Sequence, residues 1–508
     1  MKTPRGRGAR LVWIRLGGGS ASRGVNRHPG FSLLQYARMK GGARKEIYDV
    51  VVIGSGSAGM SAAFSARETG ASVCVVERDQ LGGECPNWAC VPSKALLRAA
   101  KAYREAKEAG KFGVSMRRAG YDFADVMRYS RDVVERVTGG GEYGGRYVKM
   151  FKKSGIETAR GSAVFVNAHT LYVGGRKLEA KTFVIATGTK DLIPPIEGLE
   201  GTPFWGSRDV MRIIRQPRSL AVIGGGPVGC ELSTFFGSFD TRVTLIQGAP
   251  SVLNREDAEI SALAKKALER IGIEVLINSN VSKVVYARNR FCLTIEGQDE
   301  PLETDQLLVS AGRRPATDAL GIEKLKLKLD SHGYISVDET QVSSLAHVFA
   351  AGDVTGGMQF THVAHPAGDI AGYNAAMKAF GKNARRKADF SVVPRVTFIS
   401  LEVASVGLTE EEAKAMYRTL LVGTFNIASL GRAVTESSGG GLVKLVADAK
   451  TKKLVGGHIM AERAGEMIHE VALGVKLGAR LGDLANLIHA FPTYSEAIAA
   501  AAANAKTK

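Results

Sequence analysis

Cys85 and Cys90 stand five positions apart in "LGGECPNWACVPSK", Leu81 to Lys94. Two thiols that close can form a reversible disulfide and move two electrons, staple a fold, or ligate a metal. A helix places residues i and i+5 about 8.7 Å apart. A disulfide requires roughly 4.4–6.8 Å between Cα atoms. Pairing therefore needs an irregular chain between the two, which Pro86 and Asn87 are suited to supply. From Cys90 the sequence turns helical ("SKALLRAAKAYREA"). Cys90 then sits near a helix N-terminus, where the dipole favours the thiolate. No second Cys pair or Cys/His cluster completes a zinc site, so no metal is expected. Five cysteines without a regular framework argue against a secreted disulfide scaffold. Cys74 and Cys292 fall in apolar, strand-like runs and Cys230 opens a helix, and these three read as packing residues.

A redox pair needs an electron source held beside it, and the flanking sequence supplies one. "YDVVVIGSGSAGMSAAFSARETGASVCVVERD" reads as strand, tight turn, helix, strand. Gly54, Gly56 and Gly59 have the GxGxxG spacing. The first glycine permits the turn, the second lets backbone approach a pyrophosphate, and the third lets helix and strand pack closely. The helix N-terminus offers free N–H groups to phosphate. Glu77 closes the next strand, where an acid can bind a ribose hydroxyl. The pattern recurs at "SLAVIGGGPVGCELSTFFGSFDTRVTLIQ" with Gly224, Gly226 and Gly229, but its second strand ends in Gln247 rather than an acid. Two dinucleotide sites imply two cofactors with electrons passing between them. Three more apolar strands end in small residues: "TFVIATGT" with Thr187 and Gly188, "LLVSAGRRP" with Gly312, and "HVFAAGDVTG" with Gly352 and Asp353. A carboxylate at Asp353 could accept a hydrogen bond from a ribityl chain.

A chain of 508 residues is too long for one core. The formal charge of +18 suggests nucleic acid, but residues 1–45 hold 11 Lys and Arg and no acid, and the remainder carries only +7. No nucleic-acid partner is expected. The arm has the composition of an organellar transit peptide, but the reading preferred is a true start at Met39, because folded pattern begins only at "EIYDVVVIG"; a transit peptide and then a genuine basic tail are the alternatives. A cytoplasmic location is expected, or a mitochondrial or plastid one if the arm is a transit peptide. No apolar run reaches the roughly 18 residues of a membrane span. Residues 389–508 mix strand-like pieces with Ala-, Leu- and Gly-rich helices and no phosphate loop. The apolar helical stretch "EMIHEVALGVKLGARLGDLANLIHAF" reads as an oligomer surface or as that lobe's own core. The fold expected is α/β, with two Rossmann-like dinucleotide-binding domains and an α+β C-terminal lobe.

In combination these segments, with "FPTYSE" near the end, resemble the FAD-dependent pyridine nucleotide–disulfide oxidoreductases, from about Ile47 to Ala500. The resemblance implies an FAD-binding domain of residues 46–190 and 312–388, an NAD(P)-binding domain of 191–311 and a homodimerisation domain of 389–508. It implies FAD contacts from Gly54, Gly56, Gly59, Glu77, Gly83, Lys94, Thr187, Gly188, Gly352 and Asp353. Gly224, Gly226, Gly229, Gln247, Arg255 and Gly312 would serve the nicotinamide dinucleotide, with Arg313 at its border. Cys90 would be the thiolate against the flavin and Cys85 the thiol that meets substrate. Lys94 would approach the flavin and pair with Glu231, on the first turn of its helix. Electrons would pass from NAD(P)H through FAD to the disulfide and on to a small-molecule acceptor. Dihydrolipoamide dehydrogenase or mercuric reductase activity proper, bypass of the thiols toward a quinone, and a non-catalytic flavin-binding module are the competing readings.

Two departures bear on the acceptor and the cofactor. Disulfide-reducing members carry His-Pro near the end, with the histidine as acid/base held by a glutamate five residues on. Here the glutamate, Glu496, is present, but Phe491 occupies the histidine position and His489 lies two residues earlier. Mercuric reductases share Phe-Pro, but follow it with tyrosine and carry a C-terminal cysteine pair. This chain has Thr493 and no cysteine beyond Cys292. Gln247 removes the repulsion that an acid would exert on a 2′-phosphate, and Arg255 lies within reach of one, so the expected nucleotide is NADPH over NADH.

Overall fold

Val50, Val51, Val52, Val73, Val75 and Val76 are almost wholly buried, as in parallel strands covered on both faces. They belong to strands Glu46–Ile53 and Val73–Glu77, which pair in parallel with Val51 opposite Cys74. The computed structural model describes residues 46–508 apart from Ala384. The basic arm, with the transit-peptide and Met39 readings, lies outside the described residues.

These two strands are central to a seven-stranded sheet. Strand Arg176–Ile185 lies on the other side of Glu46–Ile53, Glu157–Arg160 lies beyond Val73–Glu77, and Val348–Ala350 returns from far along the chain to pair in parallel with Arg176–Ile185. Helix Ser57–Glu68 crosses helix Thr361–Ala379 over this sheet. The crossing is so close that a Cβ on Gly368 would stand 2.0 Å from the Ala58 carbonyl oxygen, and one on Gly372 2.0 Å from that of Ala62.

A second parallel sheet runs Glu274–Ile277, Arg242–Gln247, Ser219–Ile223, Gln306–Val309, with helix Pro227–Ser238 after its first loop. The chain passes between the two sheets through a small ladder, Thr189–Asp191 antiparallel to Arg313–Pro315. Residues 395–507 form a six-stranded antiparallel sheet. Helix Ala464–Leu477 turns Ala464, Met467, Ile468 and Val471 onto it. The same helix leaves Leu473 and Leu477 exposed, and beyond it Ile488 is 95% and Phe491 82% exposed. The apolar stretch thus serves both its own core and an uncovered face. Among the described residues no helix is long and apolar enough to cross a membrane.

Candidate functional site

The redox segment is bent differently from the expectation. Glu84–Trp88 is itself a short helix and Cys90–Glu108 a long one. The break falls on Ala89, at φ −128° and ψ −100°, rather than on Pro86 and Asn87. Pro86 sits in the first turn of the short helix, where its missing N–H is not needed. Asn87 ties the segment down by donating to the carbonyls of Leu81 and Gly83 at 3.1 and 2.8 Å. Cys90 is therefore the first residue of its helix, and it stands with Cys85 as two thiols.

The hydrogen bond from Cys85 is the chief reason that the Cys90 thiol is lowered to about 6. The Thr361 hydroxyl, 3.7 Å from Cys90 Sγ, and the Lys94 charge add to it, while burial opposes it. The same bond, with burial, pushes Cys85 far above the usual thiol range. The pair thus divides into a thiolate at Cys90 and a proton-bearing thiol at Cys85. Lys94 Nζ lies 2.6 Å from Glu231 Oε2 and 4.8 Å from the centre of the Phe398 ring. Glu231 Oε1 accepts from the Phe398 backbone N–H at 3.0 Å. Glu231 is the fifth residue of helix Pro227–Ser238, so it lies on the second turn, not the first.

Both cysteines open onto a cavity of about 310 Å³, lined also by Gly54, Gly56, Glu77, Gly83, Thr187, Gly188, Gly352 and Asp353. Seven of these eight come from the ends of parallel strands, where ligands of such sheets bind; Gly83 precedes the redox helix. Gly54 holds φ +97° and leaves 2.3 Å between an added Cβ and the Ala186 oxygen. Gly59 presses on Gly54 in the same way, at 1.9 Å. A Cβ on Gly56 would meet only Gly83, at 4.0 Å, and one on Gly188 would meet nothing. The backbone is thus bare where a dinucleotide must approach. Glu77 accepts from Ser55 N and Oγ at 2.9 and 2.8 Å, which fixes it at the loop. Burial raises the Asp353 carboxyl. Thr187 Oγ1 is buried without a partner. A cradle of bare glycines, a fixed acid and an unsatisfied hydroxyl fits FAD.

Lys94, Glu231 and Gly59 are not among the residues that line this cavity. Arg313, expected at the border of the nicotinamide nucleotide, lies on the lining of the first cavity. Its guanidinium is held by Glu84 at 2.5 Å, Thr189 Oγ1 at 2.6 Å and Asp191 at 3.2 Å. Gly224, Gly226 and Gly229 form the second loop, where a Cβ on Gly226 would meet nothing within 4 Å. Gln247 Oε1 accepts from Gly225 N at 2.8 Å. Arg255 is exposed, and Gly312 holds φ +137° at the crossover.

Glu496 lies in the C-terminal lobe, where it accepts from Thr493 N at 2.8 Å. His489 is bound to both oxygens of Glu470 at 3.1 Å. Tyr494 is buried and donates to Glu436 at 3.0 Å. Among the described residues no group of three or more His, Cys, Asp or Glu could hold a metal ion.

Sequence reasoning gave no role to Thr361, Glu84, Trp88 or Arg208. Thr361 and Arg208 are brought in from distant segments and carry no local signal. Glu84 and Trp88 do carry one, a charge and a large ring set beside and between two redox cysteines.

The sequence profile of the pyridine nucleotide-disulphide oxidoreductases matches residues 48–368, and that of their dimerisation domain matches 393–502. A mercuric reductase of Lysinibacillus sphaericus is 36% identical over 457 residues, 90% of this chain and 82% of that one. A dihydrolipoyl dehydrogenase of Thermus scotoductus is 36% identical over 461 residues, 90% of this chain and 96% of that one. Among solved structures, the HOCl-induced flavoprotein disulfide reductase RclA from Escherichia coli superposes with a TM-score of 0.79 at 26% identity, covering 90% of this chain and 99% of that one. A Cu(II) complex of the same reductase gives 0.78 at 27% identity, covering 88% and 98%. The chain belongs to the pyridine nucleotide-disulphide oxidoreductase family and is one of its flavoprotein oxidoreductases, using FAD and a pyridine nucleotide and carrying the family's dimerisation domain.

Proposed function

We propose that this oxidoreductase draws on NADPH in preference to NADH and passes electrons through the Cys85–Cys90 pair to an acceptor that needs no proton from a histidine, a metal ion first among them. Phe491 carries the proposal. It stands where disulfide-reducing relatives place their acid/base, and neither neighbour is free to replace it. His489 is held by Glu470, and Tyr494 is buried against Glu436. A positioned acid/base contributes about 10²–10⁴-fold, and a phenyl ring contributes none of it. The relatives named mercuric reductase and the related structure solved with Cu(II) support a metal ion as substrate.

Residues 46–190 and 312–388 would hold FAD, 191–311 the nicotinamide nucleotide, and 389–508 the second subunit of a homodimer. FAD bound in the cavity supplies hydride transfer between the nicotinamide and the disulfide. The protein's part is to divide the resulting dithiol. Lys94 and the Thr361 hydroxyl favour the Cys90 thiolate, Glu231 balances Lys94, and Cys85 keeps the proton. Oxidation of the pair by an acceptor re-forms the disulfide, delivers two electrons and releases the Cys85 proton to solvent. Gln247 and the exposed Arg255 support NADPH. The protein would work in the cytoplasm.

The test is an acceptor screen with wild type and Phe491→His, using NADPH and NADH in parallel. Wild type should turn over metal ions or quinones, and dihydrolipoamide and oxidised glutathione poorly. Phe491→His should raise the last two about tenfold or more. Robust wild-type turnover of either disulfide or dithiol substrate, unaffected by the substitution, would return the chain to the ordinary disulfide chemistry of its relatives. A clear preference for NADH would overturn the cofactor choice.

A further inference from the structure

Among the described residues seven buried side-chain nitrogen or oxygen atoms have no hydrogen-bond partner. Two of them, Thr187 Oγ1 and Arg208 Nε, belong to residues that line the cavity holding the cysteines. Buried polar atoms without partners are few in folded proteins, so two on one cavity mark a place where a ligand completes the bonding. Arg208 Nε is a donor only, and the ligand atom opposite it must be an acceptor.

Arg208 is the charged member of the group. Its guanidinium lies 3.7 Å above the Trp88 ring, and Nη2 reaches Asp79 at 2.7 Å. Those two contacts fix the plane of the guanidinium and leave Nε–H unbonded. Asp79 follows Glu77 by two residues and donates its own N–H to that carboxylate at 2.8 Å. Arg208 is thereby tied through Asp79 and Glu77 to Ser55 of the first glycine loop, the loop that serves the phosphates. Of the other two arginines on the lining, Arg313 is engaged by Glu84, Thr189 and Asp191, and Arg78 is exposed. The first turn of helix Ser57–Glu68 presents backbone N–H groups but no cationic side chain.

We infer that Arg208 is a ligand of the FAD pyrophosphate, and that Trp88, set between the two redox cysteines, positions it by stacking. This rests on the reading of the cavity as the FAD site. A planar guanidinium with one ring face covered can donate only in its own plane, so the stack decides where its charge and its remaining donor point. Trp88 thereby links the redox segment to the cofactor's phosphates as well as to its ring.

The experiment is the FAD dissociation constant of the purified holoenzyme, read from the fluorescence of released FAD on dilution, with circular dichroism as the check on folding. Arg208→Met should weaken FAD about ten- to hundredfold, the range for a hydrogen bond to a charged group. Arg208→Lys, which keeps the charge without the fork, should recover part of the loss. Trp88→Leu should weaken FAD less than Arg208→Met, and Trp88→Phe should restore the stack. In the double variant Trp88→Leu/Arg208→Met the loss should equal that of Arg208→Met alone, because Trp88 acts through the arginine. Arg208→Met holding FAD within about twofold of wild type would overturn the inference and leave the cavity's FAD reading standing. A wild-type protein that purifies without FAD and takes up none would overturn both.

Discussion

Replacing Cys85 by alanine removes the donor that keeps Cys90 ionised. The bond from Cys85 is the largest cause of the lowering to about 6, ahead of Thr361 and Lys94. Suppose its loss restores half of the gap to the ordinary 9.0, about 1.5 units. The ionised fraction of Cys90 at pH 7 then falls from about nine-tenths to about one-quarter, since each unit is a factor of ten in the ratio of the two forms. The sign follows from the direction of the shift. A thiol with a lowered pKa is a thiolate above that value and loses its charge as the pH falls through it, here at about 6. The assay is the rate of alkylation of reduced Cys90 by iodoacetamide against pH, with the modified site located by peptide mass. Cys85 stays protonated over the same range and does not compete. Cys85→Ser retains a hydroxyl donor and should keep a midpoint close to wild type, whereas Cys85→Ala should move it upward by at least about one unit. An unchanged midpoint in Cys85→Ala would put the stabilisation on Lys94 and Thr361 and refute the assignment to Cys85.

Lys94→Ala leaves Glu231 with the Phe398 N–H as its remaining partner and takes a positive charge from beside the thiolate. It should slow anaerobic reduction of the bound flavin by NADPH about tenfold or more while FAD stays bound, because Lys94 is not on the cavity lining; stopped-flow bleaching at the wild-type rate would remove Lys94 from the mechanism. Gly368→Ala places a Cβ 2.0 Å from the Ala58 carbonyl and forces the two helices apart, so it should cost about 1–3 kcal/mol, read as a fall in Tm of the holoenzyme. Retention of the wild-type Tm would show that the crossing yields. Ile488→Glu puts a charge on the exposed apolar face of the C-terminal lobe and should shift the protein toward monomer on size-exclusion chromatography, whereas an intact dimer would place the subunit contact elsewhere.

The nucleotide folds were legible because their demands are local. A glycine at φ +97°, or one whose added Cβ would stand 1.9 Å from a carbonyl oxygen, admits no other residue, and such positions repeat at a spacing that any reader of the sequence can see. The helix start at Cys90 was legible for the same reason, but the chief cause of its lowered thiol, the hydrogen bond from Cys85, was not. The break at Ala89 was not, because Pro86 in a first turn looks identical in sequence to Pro86 in a loop. Thr361 and Arg208 were also beyond reach. Thr361 comes to Cys90 across 271 positions, and Arg208 meets Asp79 across 129, so only the packing of separate elements places them. Arg313 was legible as a motif, but its partners Glu84 and Asp191, 229 and 122 positions away, were not.

The same division applies to the acceptor. Phe491 is a local fact, visible in one residue, but its meaning depends on what surrounds it. Had His489 or Tyr494 stood free, either could have carried the proton, and the missing histidine would have said little. Each instead has a carboxylate partner, and Glu496, the residue that would hold a histidine, turns to the backbone of Thr493. The acid/base position is therefore absent as a unit, and its neighbours are committed to the lobe's own structure. What remains beside the cavity is a thiolate, a protonated thiol and a lysine, with Phe491 and Ile488 exposed on the lobe that relatives use to pair subunits. On the proposed reading, a thiolate without a positioned acid/base is suited to soft cations and electrophiles, whose reduction asks for electrons and not for a delivered proton.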